Sequence, residues 1–366
     1  MKIDRISLAH VRIPLVEPFR ISNGEIAEKD GIVASVQSDG LTGYGESSPM
    51  AGSFYSDDTP ESCWQQLTGQ LGPAIAGRVF DSLQDACQWI DARPESNFAK
   101  VGIETALWDL EAQRRGLPLH RLLGARRDCA ESGLAVGLYD TIDGLLHAID
   151  RYSAEGYKRV KIKICPGHDL NLIRAVRERF GGIPLMTDAN ASYRLDQRAI
   201  FQQLEEYGLI MHEQPLGRDS LADSAALAAE IRTPICLDES LESADEAERA
   251  AGLGSFKIAN IKIQRVGGFA NALKVYEICR RHNLGIWIGT MPELGVGCAQ
   301  GAALAALEGC NYPTDVESSA RWFQDDIIDP FIEVQDGVLH LPTEPGLGYK
   351  INESKLRRYQ VAHVNL

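Results

Sequence analysis

Lys163 in VKIKI, Asp188 in LMTDAN, Glu213 in LIMHEQP, Asp238 in ICLDES and Lys262 in ANIKIQ recur at steps of 25, 25, 25 and 24 residues. Each ends a short apolar, β-branched run, and a segment long enough for a helix follows it. Strand–loop–helix units that each donate one side chain at the C-terminal end of a strand leave this pattern. In a (β/α)₈ barrel those ends converge on one face. A lone Asp or Lys after a strand is an ordinary cap or a solvated loop residue; capping does not account for five in register. Asp188, Glu213 and Asp238 are an all-oxygen set suited to Mg²⁺ or Mn²⁺, with water and substrate oxygens completing the octahedron. Lys161 stands two residues before Lys163, so both point to one face of their strand. Neighbouring ammonium groups and a nearby dication disfavour protonation, which would let a lysine there act as a base near neutrality. Lys262 lies on the sixth candidate strand, roughly opposite the second in an eight-stranded ring, so a substrate between them would have an amine on each face. His212, next to Glu213, is expected to point away from the barrel axis and to be structural. The combination suits abstraction of the proton next to a carboxylate, because a metal on both carboxylate oxygens stabilises the resulting enediolate.

The elements that must position these groups are legible in outline. Candidate barrel strands are 133–138, 159–164, 184–188, 209–213, 234–238, 257–262, 285–289 and about 312–316. The expected fold class is therefore α/β, a (β/α)₈-type barrel over 126–334. Residues 1–125 read as an α+β capping domain. They open with IDRISLAHVRIPL, DGIVASVQSDG and LTGYGES, antiparallel strands with a hairpin at Asp39 and Gly40. In NFAKVGIETALWDLEAQRRG, Val101, Thr105, Trp108 and Ala112 share one helical stripe, and Gly116–Leu117–Pro118 stops it. The turn-rich, strand-like tail 335–366 is expected to return to the capping domain.

Composition narrows the function classes. The 366 residues suit one large and one smaller domain. A net charge of −14 and no clustered basic run argue against a nucleic-acid or anionic-membrane partner. No stretch approaches a spanning helix, and MKIDRISLAHVRIPL lacks the apolar block of a signal peptide, so a cytoplasmic location is expected. The eight cysteines are scattered without a CxxC pair, which fits reduced thiols rather than zinc or redox motifs.

Over nearly its whole length the chain resembles the enolase superfamily, muconate lactonizing enzyme subgroup. KIKI with Lys163, DAN with Asp188, EQP with Glu213, LDES with Asp238 and NIKIQRVGG with Lys262 carry the resemblance. Within the subgroup it is most similar to the o-succinylbenzoate synthase/N-acylamino acid racemase family, through RTPICLDES, NIKIQRVGG and PTDVESSARWFQDDI. The resemblance implies a modified TIM barrel, Lys163 and Lys262 as the acid/base pair, Lys161 tuning Lys163, and the three acids binding Mg²⁺, an arrangement known from enolase-superfamily sites. It also implies a small carboxylate substrate and a homo-oligomer. Arg20 and Tyr55, in capping loops 19–24 and 47–57, fall on the substrate side, as do Asn190, Met291, Glu293, Leu294, Asp315 and Glu317.

The chain departs from the family after the seventh strand. There the family reads GGMLE, then Ser or Thr, then GIG; this chain has Gly289–Thr290–Met291–Pro292–Glu293–Leu294–Gly295–Val296–Gly297. Leu294 replaces the hydroxyl and Pro292 removes a backbone donor, so the distal end of the substrate is expected to be apolar rather than a second carboxylate. Glu293 suits either a substrate contact or a carboxylate at a helix N-terminus. Asp315 and Glu317 raise an alternative, because dipeptide epimerases of this subgroup hold a substrate ammonium with an Asp-x-Asp pair. A muconate-type cycloisomerase would start from the same enediolate. A catalytically silent binding barrel is the alternative from another class, and the five intact chemical residues argue against it.

Overall fold

The computed structural model describes residues 1–366. Alternating apolar and polar residues near the N-terminus form β1 (Arg5–Ile21), β2 (Gly24–Ser38) and β3 (Leu41–Ser47), an antiparallel meander. Asp39 and Gly40 have φ of 51° and 80°, the left-handed pair that a two-residue hairpin of this twist requires. The C-terminal strand Gln360–Asn365 pairs antiparallel with the free edge of β1. Helix Asn97–Arg115 lies across this sheet, capped by Ser96 and ended by Gly116 in the left-handed region, as its sequence predicts. Gly43 and Gly45 of β3 permit the approach: a Cβ on Gly45 would stand 2.0 Å from the carbonyl oxygen of Gly102.

Seven parallel strands follow: β4 (Leu134–Val136), β5 (Val160–Lys163), β6 (Leu185–Asp188), β7 (His212–Glu213), β8 (Ile235–Leu237), β9 (Ile258–Ile261) and β10 (Gly285–Ile288). They are hydrogen-bonded in sequence order as one sheet, buried on both faces apart from half-buried Gly285. The expected eighth strand, 312–316, does not form. Pro313 has no N–H to give a ladder, and the segment closes the ring with scattered bonds instead. Thr314 N donates to Glu131 O at 2.9 Å, Gly133 N donates to Thr314 O at 2.8 Å, and Asp315 N donates to Ile288 O at 3.2 Å. Not all of the tail returns to the first sheet either, because Val338–His340 pairs with Cys129–Glu131 beside the barrel.

Strand alternation sorts the barrel interior by depth. Met186, Met211, Cys236, Ile258 and Trp287 make a separate apolar cluster. Two residues further along β6, β7 and β8, the same inward positions carry Asp188, Glu213 and Asp238. An apolar floor thus underlies a charged layer at the C-terminal ends of the strands.

Candidate active site

The charged layer is set by register. Lys163 pairs with Asp188, and Asp188 with Glu213, across β5, β6 and β7. All three carboxylates and Lys161, Lys163 and Lys262 are buried. Lys163 Nζ is 2.5 Å from Asp188 Oδ2, and Lys262 Nζ is 3.0 Å from Asp238 Oδ2. Lys161 Nζ donates to Asp315 Oδ2, lies 3.1 Å from Glu213 Oε2, and is 3.7 Å from Asp188. Around them stand further polar groups, of which only Tyr55 and Asn190 were expected near the site. Arg265 Nη1 donates to Asp238 Oδ1 and Nη2 to the Tyr55 hydroxyl. Asn260 Nδ2 donates to Glu213 Oε1 at 2.7 Å. Gln214, with φ of 34°, turns its Oε1 to accept the Asp238 N–H at 2.9 Å. Asn190, with φ of 42°, donates its own N–H to Asp188 Oδ1 at 2.9 Å and Nδ2 to half-buried Glu239 at 3.0 Å. Left-handed backbone at two such points is held by the surrounding bonds, as strained positions at functional sites are.

Electrostatics divides the acids. Burial and the neighbouring Asp188 push the Glu213 carboxyl above the usual range. For Asp238, burial is outweighed by Arg265 and Lys262, which hold it well below that range. Lys161 stays protonated. Burial opposes its charge, but Asp315, Glu213 and Asp188 outweigh burial and hold its proton more tightly than an ordinary lysine does. Three carboxylates lie within reach of its ammonium group. His212 behaves as its strand parity requires: it faces outward, with Nδ1 2.7 Å from Thr187 Oγ1 and its ring 5.1 Å from Phe201.

No three acidic, histidine or cysteine side chains by themselves enclose one point, because ammonium groups stand among the carboxylates. The donor set nevertheless fits a hard cation. It is all oxygen, and buried Glu213 Oε2 receives no hydrogen bond of acceptable geometry even with Lys161 3.1 Å away.

A small cavity adjoins Lys161, Lys163 and Lys262. Tyr55, Asn190, Met291 and Asp315 line it, as do Thr290 and Pro292. Phe19 and Ile21 from the 19–24 loop, Met50 from the 47–57 loop and Trp322 from the PTDVESSARWFQDDI stretch add its apolar walls. Four candidate substrate-side residues lie outside it. Arg20 pairs with Asp140 on the surface at 2.7 Å. Glu293 folds back to accept Met291 N at 3.0 Å, and burial and Glu46 raise it to about 8. Leu294 is fully buried, and its N–H donates to Glu46. Glu317 Oε1 accepts Ala135 N at 2.5 Å and Oε2 is 3.7 Å from Arg321. A larger cavity, about 570 Å³, opens between helices Leu83–Asp91, Asn97–Arg115 and Phe269–Arg281 and contains none of the three lysines or their acids. Chemistry rather than size locates the site.

Residues 4–124 match the N-terminal domain of the mandelate racemase/muconate lactonizing enzyme family, and residues 145–355 match the enolase C-terminal domain-like family. An o-succinylbenzoate synthase of Bacillus subtilis (strain 168) is 39% identical over 360 residues, covering 98% of this chain and 97% of its own. An N-succinylamino acid racemase of Amycolatopsis sp is 38% identical over 349 residues, covering 95% of each chain. Among solved structures, an enolase-superfamily member from Listeria innocua Clip11262 superposes with a TM-score of 0.94 at 33% identity, covering 100% of this chain and 98% of its own.

Proposed function

The chain belongs to the mandelate racemase/muconate lactonizing enzyme family of the enolase superfamily, and from that premise we propose that it removes the proton α to a substrate carboxylate and that its preferred substrates are N-acyl amino acids. One observation carries the reading: Lys163 and Lys262 come from strand positions four apart in the ring, yet both line one small cavity beside three buried carboxylates.

Asp188, Glu213 and Asp238 would hold Mg²⁺ or Mn²⁺. Bound there, the cation supplies charge stabilisation for the carboxylate oxygens of the substrate as the α-proton leaves. Lys163 takes the proton on one face and Lys262 delivers one on the other, which inverts the α-carbon. Loss of a β-hydroxyl from the same enediolate would instead form a product of the o-succinylbenzoate kind. Met50, Met291, Pro292 and Trp322 give the cavity apolar walls, which favours an apolar acyl group or side chain over a second carboxylate at the distal end. Asp315 supports this choice over a dipeptide. Its two oxygens already face Arg159, at 2.8 Å, and Lys161, while Glu317 is turned to Ala135 and does not line the cavity, so the two do not form a pair that could hold a substrate ammonium there.

In D₂O with Mg²⁺, the enzyme should exchange the α-hydrogen of both enantiomers of N-acyl amino acids, faster for apolar than for acidic distal groups. EDTA should stop the exchange, and Mg²⁺ or Mn²⁺ should restore it. Undiminished exchange in a metal-free sample overturns the reading. Selective turnover of dipeptides that Asp315→Asn abolishes would replace it with the epimerase.

A further inference from the structure

Glu46 stands near the end of β3, and its carboxylate leaves the N-terminal sheet to enter the barrel, fully buried. Oε1 accepts Leu294 N–H at 2.9 Å and the Ser48 hydroxyl; Oε2 accepts Gly297 N–H at 2.8 Å. Those amides begin helix Gly295–Ala305, whose N-cap residue, Leu294, provides no side-chain cap. Asp326 Oδ1 takes the intervening Gly295 N–H at 3.1 Å. A side chain at 297 would crowd this contact, because a Cβ there would stand 3.0 Å from Glu46 Oε2 and 2.9 Å from Glu293 Oε2. The same strand end also reaches the turn after Lys262. Ser48 N donates to Gln264 Oε1 at 2.8 Å, and Gln264 Nε2 donates to Glu46 O at 3.0 Å. One strand end therefore grips two walls of the cavity, the Lys262 turn and the Thr290–Pro292 segment that leads into the helix.

We propose that Glu46 is a positioning residue for specificity: without touching substrate, it fixes the Thr290–Pro292 wall and so sets which distal groups enter. The proposal rests on the reading of the cavity as the substrate site. Thr290, Met291 and Pro292 form one wall of that cavity, so a substrate entering it presses on this wall. How far it gives depends on its anchor, and displacements near 1 Å at such walls can cost roughly a hundredfold in rate.

The test uses Glu46→Gln, which keeps the size of the side chain but turns an amide N–H toward a backbone N–H. Gly297→Ala is the second variant; it wedges the same contact and leaves Glu46 in place. With metal-loaded enzyme, kcat and KM are compared for a short and a long N-acyl form of one amino acid. In both variants the long-to-short ratio of kcat/KM should change about tenfold, chiefly through KM, while kcat for the short form stays within about twofold. Equal losses on both substrates, or an unchanged ratio, overturn the proposal. Amide hydrogen exchange read by mass spectrometry follows the anchor without catalysis. In Glu46→Gln, residues 294–297 should exchange about tenfold faster and 160–190 should be unaffected. Unchanged protection at 294–297 overturns the proposal. Faster exchange there in an enzyme that turns over neither substrate would support the anchor and refute the proposed function instead.

Discussion

Lys163 and Lys262 each contact one carboxylate of the set, Asp188 and Asp238 respectively, yet they come from opposite sides of the ring. If each serves one face of the α-carbon, the two single variants should fail differently. Lys163→Ala should exchange the α-hydrogen of one enantiomer only and Lys262→Ala that of the other, with racemisation down by about 10²–10⁴-fold in each. Deuterium incorporation followed by NMR separates the cases, and exchange of both enantiomers at wild-type rates in either variant would sink the two-base assignment. These residues were legible because type, spacing and the preceding apolar run coincide. Arg265, Asn260 and Gln214 were not, since nothing in a sequence says that a residue in a turn will reach back to Asp238 or Glu213. Arg20, Glu293, Leu294 and Glu317 show the converse. They belong to segments near the site, but their side chains turn to Asp140, to backbone amides or into the core.

Among elements, the seven parallel strands follow from short apolar runs at even spacing, whereas 312–316 looks like its predecessors until the missing N–H of Pro313 is counted. Connections between units depend on single side chains that no periodicity reveals. Glu205 follows helix Ala199–Leu204 and accepts Arg232 N, Arg232 Nε and Thr233 N, each at 2.9 Å, tying that helix to the approach of β8. Burial works against its charge, but the Thr233 and Arg232 donors outweigh it and hold the carboxyl at about 2. Because the folded value lies below the unfolded one, the stability it contributes is complete above about 4.5 and is lost as pH falls toward about 2. Glu205→Gln should therefore cost about 1–3 kcal/mol at pH 7, and the gap to wild type should narrow below pH 4.5. Urea denaturation of both proteins across that range measures it; a gap that holds constant would show that shape, not charge, makes the tie.

The whole molecule is bound together by carboxylates that cross from the N-terminal sheet and its helix into the barrel. Glu46 serves helix Gly295–Ala305, and Glu104 of helix Asn97–Arg115 serves helix Phe269–Arg281 in the same way. Glu104 Oε2 accepts Phe269 N at 2.8 Å, and Oε1 accepts Ala270 N and Trp108 Nε1, both at 2.9 Å. The barrel helix again has no side-chain cap of its own, and the Cβ that Gly268 lacks would stand 2.2 Å from Glu104 Oε2. The apolar core is likewise shared, a single cluster of 94 buried residues that runs from Ile3 through both units to Leu347. A barrel whose helices are capped from outside, over a core it does not own alone, should not unfold separately from its cap. Glu104→Gln places an amide N–H against one of three donors, at a cost of about 1–3 kcal/mol. The prediction is a melt that shifts down by a few degrees and remains one transition, coincident by far-UV circular dichroism and tryptophan fluorescence. Two separated transitions, with the barrel surviving the loss of the cap, would show that the crossing carboxylates only position the site and do not hold the fold together.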